Sequence, residues 1–284
     1  MKKLITIVMA LLLSVGCAFG MTACGKKEKD ANIKGYNQNV VGVDIYLMAL
    51  VCEELNMKMS VKDVDFDGIV GAIATKNNAV GAAGITISDD RKESVDFSNP
   101  YYSSVQYIIS TSAQAYTSLA SLAGAKIGVQ KGTTGALMVA DAIEKEGGAL
   151  YETGAEYIEY DTGAVAFTAM KQNKCAFVVI DELPAQKLVN GQTTYVANAI
   201  EGIEVEEYGL CISKTSTLNA TVLAAMNKVI ADTDLSAVVS YYTSISNGTT
   251  PTVSLTVVDL SNNTAGTLDV YTCSGFEPYE FVVD

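Results

Sequence analysis

The chain has 284 residues, a formal net charge of −13 and no histidine. Such acidity, without a Lys/Arg cluster interleaved with aromatic residues, excludes nucleic acid as a partner. The missing histidine excludes a histidine triad, a histidine acid–base pair and the usual catalytic zinc sites, and the length fits one large or two medium domains.

Met1-Lys2-Lys3, an apolar run from Leu4 to Val15 and a small-residue stretch ending at Met21-Thr22-Ala23-Cys24 follow the order of a cleaved export signal. The run is too short to make a spanning helix the first choice. A signal peptide is therefore expected over 1–23. Cys24, preceded by Thr22-Ala23 and followed by the polar run Gly25 to Asp30, resembles a lipobox cysteine, the site of lipidation. Cys17 is a weaker competitor. Residues 24–35 then read as a tether, and the lipid as the chain's sole membrane contact. The remaining cysteines at 52, 175, 211 and 273 lie in a compartment that permits disulfides, but their wide spacing specifies neither a metal knuckle nor a redox motif.

Between Asp44 and Leu55 the spacing puts Ile45, Met48, Ala49 and Cys52 on one helical face, and Phe66 to Lys76 does the same with Phe66, Ile69, Val70 and Ile73. Met57 to Val64 and Ala79 to Ala83 read as strands, giving a helix-covered parallel sheet. Val105 to Ser110 has strand composition and runs into Thr111 to Ala115, where a crossing to a second lobe is expected. There the alternation restarts: strand Lys126 to Gln130, helix Thr133 to Glu146, strand Glu156 to Tyr160, helix Thr162 to Gln172, strand Ala176 to Ile180, helix Glu182 to Leu188. A return strand at Tyr208 to Ser213 and helices at Asn219 to Ile230 and Leu235 to Tyr242 follow. Ser246 to Gly266 is a Ser/Thr/Asn/Gly-rich connector with a short strand at Ser254 to Val258. Thr267 to Cys273 alternates as a strand should. The expected fold class is α/β in two lobes, each a mostly parallel sheet with flanking helices. Lobe 1 takes 36–109 with 212–245 and 267–284, lobe 2 takes 110–211, and 246–266 is a connector within lobe 1 that leads to its C-terminal strand.

Arg91 follows Gly84-Ile-Thr-Ile-Ser88 just past the carboxyl end of a strand, where open α/β sheets hold ligands, and a guanidinium there can grip a carboxylate. Thr86 offers a hydroxyl to the same oxygens. The alternative for Arg91 is a solvated residue paired with Asp89 or Asp90. Gly132-Thr133-Thr134-Gly135 sits between a strand and a helix, so its free amides make either an anion seat or an ordinary Thr-capped helix start. Asp181 ends Phe177-Val-Val-Ile180 and is either a partner for an ammonium or a helix N-cap. Phe66 faces the core or covers a ligand. An anion grip, an amide-lined loop, a cation grip and aromatic surfaces together suit a zwitterion.

Val41-Gly-Val-Asp-Ile45, Asp65-Phe-Asp-Gly-Ile69, Ala83-Gly-Ile-Thr-Ile-Ser-Asp-Asp-Arg91, Val95-Asp-Phe-Ser-Asn-Pro-Tyr-Tyr102, Lys126-Ile-Gly-Val-Gln-Lys-Gly-Thr-Thr-Gly135, Val178-Val-Ile-Asp181 and Phe276-Glu-Pro-Tyr-Glu-Phe281 run over nearly the whole chain after the signal. In these the sequence resembles family 3 of the bacterial extracellular solute-binding proteins, the polar amino-acid receptors of ATP-binding-cassette importers. The resemblance implies the two-lobed, type II periplasmic-binding-protein-like fold with a ligand cleft at the hinge. It implies that Arg91, Thr86 and Thr134 hold an α-carboxylate, that Asp181 and the Gly84 carbonyl take the α-amino group, and that Phe66 and Phe276 sandwich the side chain. Cys273 stands where relatives for basic amino acids carry an acid, which points to a neutral or sulfur-containing amino acid. The partners implied are that amino acid and an importer permease, for a monomeric protein anchored to the outer face of the cytoplasmic membrane. No cofactor, metal or catalytic residue is implied. An enzyme of the dehydratase kind on this scaffold, using Asp181, Glu277 or Glu280, and a solute sensor are the alternatives.

The order of elements departs from that family. Family members begin with a strand and an aromatic-Pro-aromatic-Glu motif, whereas here both stand at the far end, as Leu268 to Cys273 and Phe276-Glu-Pro-Tyr-Glu-Phe281. Circular permutation is the simplest account, with new termini in the hairpin turn; a truncated second tandem module is the alternative. Permutation would put Leu268 to Cys273 between the first lobe's strands at 57–64 and 79–83, parallel to both. It would also pair Tyr279 to Val283 antiparallel with Gln38 to Gly42 and set Phe276 opposite Phe66.

Overall fold

The computed structural model describes residues 30–283. The expected signal peptide and Cys24 lie outside that range. The chain opens with β1 (Ile33–Lys34), β2 (Val40–Val41), α1 (Val43–Glu54) and β3 (Lys58–Asp63). A 3-10 turn at Phe66–Gly68 leads into α2 (Ile69–Ala74), β4 (Ala79–Gly81), α3 (Asp89–Lys92), β5 (Val95–Phe97) and β6 (Tyr102–Ser104). Then come β7 (Gln106–Thr111), β8 (Lys126–Gln130), α4 (Thr134–Glu144), β9 (Glu156–Tyr160), α5 (Gly163–Lys171), β10 (Phe177–Asp181), α6 (Glu182–Val189) and β11 (Tyr195–Ala199). The last part runs β12 (Glu206–Tyr208), β13 (Cys211–Ser213), α7 (Asn219–Asp232), α8 (Leu235–Ser246), β14 (Val258–Asp259), β15 (Thr267–Thr272) and β16 (Phe281–Val282).

Two five-stranded sheets make two lobes, ordered β3-β15-β4-β13-β5 and β11-β7-β10-β8-β9. A ribbon of β6 and β12 lies between them in sequence on both passages of the chain. The crossing therefore falls before β7, earlier than Thr111 to Ala115. Residues 106–109, assigned above to lobe 1, belong to the second sheet, because β7 pairs along its length with β10 and β11. The edge strand β11 was not anticipated; its residues are all half-buried and lack the apolar run that marks its neighbours. No helix among the described residues is long and apolar enough to cross a membrane.

Helix α1 is buried over most of its circumference, from Val43 to Cys52, because it is wedged between the first sheet and α7. The connector after α8 is tied down rather than loose. Its β14 pairs with β1, Thr256 accepts a hydrogen bond from the Tyr46 hydroxyl at 2.8 Å, and Asn263 donates to the carbonyls of Cys52 and Met57. Residues 30–35, the end of the expected tether, are part of this packing, with Ile33 buried.

β15 lies between β3 and β4 and is parallel to both, with Val270 opposite Val61 on one side and Val80 on the other. Its Leu268, Val270 and Thr272 are buried while Asp269 turns outward to Lys62 at 3.6 Å. β16 pairs antiparallel with β2, Phe281 against Val41. These are the pairings expected for the C-terminal segment.

Candidate functional site

The carboxyl ends of strands from both lobes face one another, and the groups singled out in the sequence gather there. The Ser88 hydroxyl caps α3, fixing the short turn that holds Arg91. Arg91 Nη1 donates to the Thr86 carbonyl at 2.8 Å, and Nη2 crosses to the Gly132 carbonyl of lobe 2 at 3.2 Å. The guanidinium carbon lies 5.4 Å from the centre of the Phe66 ring, within cation–π range. Burial lowers the Arg91 pKa, opposed by the charges of Cys211, Glu206 and Asp181; guanidinium remains charged in such surroundings. Asp89 and Asp90 make no salt bridge with Arg91, and Asp89 instead pairs with Lys92.

Thr133, capping α4 through its hydroxyl, turns the chain so that Thr134 stands at the helix start facing lobe 1. Gly132 has φ +75°, and a Cβ there would sit 2.6 Å from Cβ of Asp67. Only glycine allows this approach of the lobes. Lys131 closes the same edge with an ion pair to Asp67 at 2.7 Å, and Lys187 pairs with Glu277 at 3.2 Å on another.

Asp181 ends β10 and starts α6 without capping it. Its carboxylate accepts a hydrogen bond of 2.5 Å from the buried Tyr208 hydroxyl. Burial pushes Asp181 up to about 7, the charge of Glu206 adds to this, and hydrogen bonds from Tyr208 and Gln106 oppose it. Asp44, buried in α1 and accepting from the Gly84 amide at 2.8 Å, is also raised by burial to about 7. Both carboxyls hold protons in the folded chain at pH values where the unfolded chain has lost them. Their contribution is thus fully present below about pH 4 and is lost as pH rises through about 7. The ligand-free protein is expected to melt at a higher temperature at pH 5 than at pH 8; a thermal melt that rises over that interval would contradict the assignment.

Gly84, with φ +55°, lies against the Phe276 ring; a Cβ would meet it at 2.7 Å. The two rings expected to face one another keep different company. Phe66 is half-buried below Arg91, whereas Phe276 is buried beside Gly84, stacked on Tyr279 at 5.7 Å. Cys273 lies near the Gln130 amide, Nε2 to Sγ 3.9 Å, and burial pushes its thiol up to about 12. Cys52, Cys175, Cys211 and Cys273 are all free and buried. Of the acids weighed for an enzyme, Glu277 is taken by Lys187 and Glu280 is fully buried in lobe 1.

Sequence inspection missed Glu206. Its Oε2 accepts from the Thr86 hydroxyl at 2.8 Å and the Thr134 hydroxyl at 2.6 Å, while Oε1 accepts from Gln106 Nε2 at 3.2 Å. Tyr208 and Gln106 were missed as well. The signal available was position: Glu206 and Tyr208 lie on the returning passage between lobes and Gln106 opens β7 directly after the first passage, where a side chain turned inward meets the cleft.

A family model described as bacterial extracellular solute-binding proteins, family 3, matches residues 27–244. The arginine-binding extracellular protein of Bacillus subtilis is 31% identical over 141 residues, 43% of this chain and 55% of that protein. The L-cystine-binding protein of Escherichia coli is 24% identical over 203 residues, 71% of this chain and 72% of its own. Among solved structures, an ancestral arginine-binding protein bound to arginine matches at 31% identity with a TM-score of 0.60, over 68% of this chain and 81% of that one. An amino-acid transporter substrate-binding protein of Streptococcus pneumoniae, 21% identical, shares the fold at a TM-score of 0.65, over 72% and 85% of the two chains.

Proposed function

Because the chain belongs to family 3 of the bacterial extracellular solute-binding proteins, a family of receptors rather than catalysts, we propose that it captures an amino acid outside the cytoplasm for an ATP-binding-cassette importer. The observation that carries this is the convergence of Arg91, Thr86 and Thr134 with Asp181 between the lobes. Arg91 and the two hydroxyls take the α-carboxylate, and Asp181 with the Gly84 carbonyl takes the α-ammonium. Phe66 and Phe276 supply aromatic surface for the side chain. Contributions from both lobes make binding and closure one equilibrium, in which the ligand favours the closed form.

The relatives are named for arginine, cystine and histidine. Here the neutral, buried Cys273 beside Gln130 offers no charge to a cationic side chain, which favours a neutral or sulfur-containing amino acid. The protein works as a monomer, anchored by lipid on Cys24 to the outer face of the cytoplasmic membrane, and delivers its solute to a permease. Its C-terminal segment is the family's first strand displaced by circular permutation. The central parallel position of β15 supports this. Calorimetric titration with the twenty standard amino acids and cystine tests the function; one of them is expected to bind, and none binding tighter than about 1 mM, a weak standard free energy of about −4 kcal/mol, would sink it.

A further inference from the structure

The carboxylate of Glu206 occupies the seat just assigned to a ligand's carboxylate. Each threonine hydroxyl has one proton to donate. Those of Thr86 in lobe 1 and Thr134 in lobe 2, 3.4 Å apart, are both given to Glu206 Oε2. Neither hydroxyl can then donate to a bound solute. Charged acceptors make the stronger hydrogen bonds, so this single oxygen ties the lobes together, helped by Arg91 reaching the Gly132 carbonyl across the same gap. Gln106 steadies the other oxygen. Glu206 also borders a groove of about 530 Å³ open to solvent and lined by Ile87, Lys92, Met138 and Val205, so the side chain has space to leave its seat.

We infer that Glu206 is a built-in stand-in for the ligand's carboxylate, holding the empty protein closed until an amino acid displaces it. This rests on the function proposed above, since it takes Arg91, Thr86 and Thr134 as the carboxylate seat. Glu206 thereby sets the threshold for binding: a solute must offer both a carboxylate for the seat and enough other contacts to outcompete a tethered one. Ligands with a carboxylate alone gain too little.

The test uses the full chain with Glu206→Ala and the isosteric Glu206→Gln, and two readouts. Spin labels on the outer faces of α4 and α7 report the distance across the lobes without ligand. Calorimetry reports affinity for each of the twenty standard amino acids and cystine. Both variants are expected to lengthen the ligand-free distance. They should also bind the preferred amino acid about tenfold more tightly, as when a competent fraction near one in ten is restored to the whole population. Ligand-free distances unchanged from the wild type, or affinities unchanged or weakened, would overturn the inference while leaving the receptor function standing. If no amino acid binds any of the three proteins the proposed function fails, and the distance readout alone still decides whether Glu206 ties the lobes.

Discussion

Arg91→Ala is expected to abolish useful amino-acid binding while leaving the protein folded. Its guanidinium is held by the Thr86 and Gly132 carbonyls and the Phe66 ring, all at the cleft and none in the core of either sheet. Removing it takes away the cationic partner proposed for the ligand carboxylate. Truncating one member of a buried charged pair costs about 2–5 kcal/mol, which at the lower bound is about 30-fold in Kd and at the upper over a thousandfold. The melting transition should persist with nearly the same cooperativity. Arg91→Lys should recover only part of the loss, since an ammonium cannot match the fork that reaches both carbonyls. An unchanged Kd for Arg91→Ala would remove Arg91 from the site.

Cutting the chain after Gly266 should be more damaging still, and to stability rather than affinity. The segment removed contains β15, which is hydrogen-bonded on both sides, and β16, which covers β2. Leu268, Val270, Phe276, Tyr279, Phe281 and Val283 are all buried. At about 1.5–3 kcal/mol for each fully buried large apolar side chain, their loss is comparable to the whole of the roughly 5–15 kcal/mol that holds an ordinary domain folded. Without β15, the facing edges of β3 and β4 would also be left unpaired. Circular dichroism of the truncated protein is expected to show no cooperative melting of lobe 1, and calorimetry no amino-acid binding. A truncated protein with the full chain's transition and affinity would contradict the role assigned to this tail.

The fate of that tail was legible because Phe276-Glu-Pro-Tyr-Glu-Phe281 resembles the motif that follows the family's first strand, and because the alternation of Thr267 to Thr272 needs a buried slot. Most strands and helices were legible for the same reason: apolar periodicity declares which face must be covered. What escaped was set by contacts distant in sequence. β11 reads as a polar loop until β7 supplies its ladder. The connector looked loose because its polar residues serve backbone groups of α1, as Asn263 does for Cys52 and Met57. Within the site, residues at strand ends and helix starts could be named from position, as Arg91, Thr134 and Asp181 were. Glu206 could not, since Glu206-Glu207 resembles any solvated acidic pair until the fold brings Thr86, Gln106 and Thr134 from three other segments around one of them. Likewise nothing local tells that Tyr208, rather than solvent, satisfies Asp181.

One cleft is expected to grip an α-amino acid by both of its charged ends, through Arg91 and Asp181. Calorimetry of the preferred amino acid against its N-acetyl and α-amide derivatives tests this most directly, because each derivative deletes one charge and leaves the side chain alone. Both derivatives are predicted to bind at least about 30-fold more weakly, the equivalent of about 2 kcal/mol for an orphaned buried charge. Derivatives that bind as tightly as the parent amino acid would contradict the account.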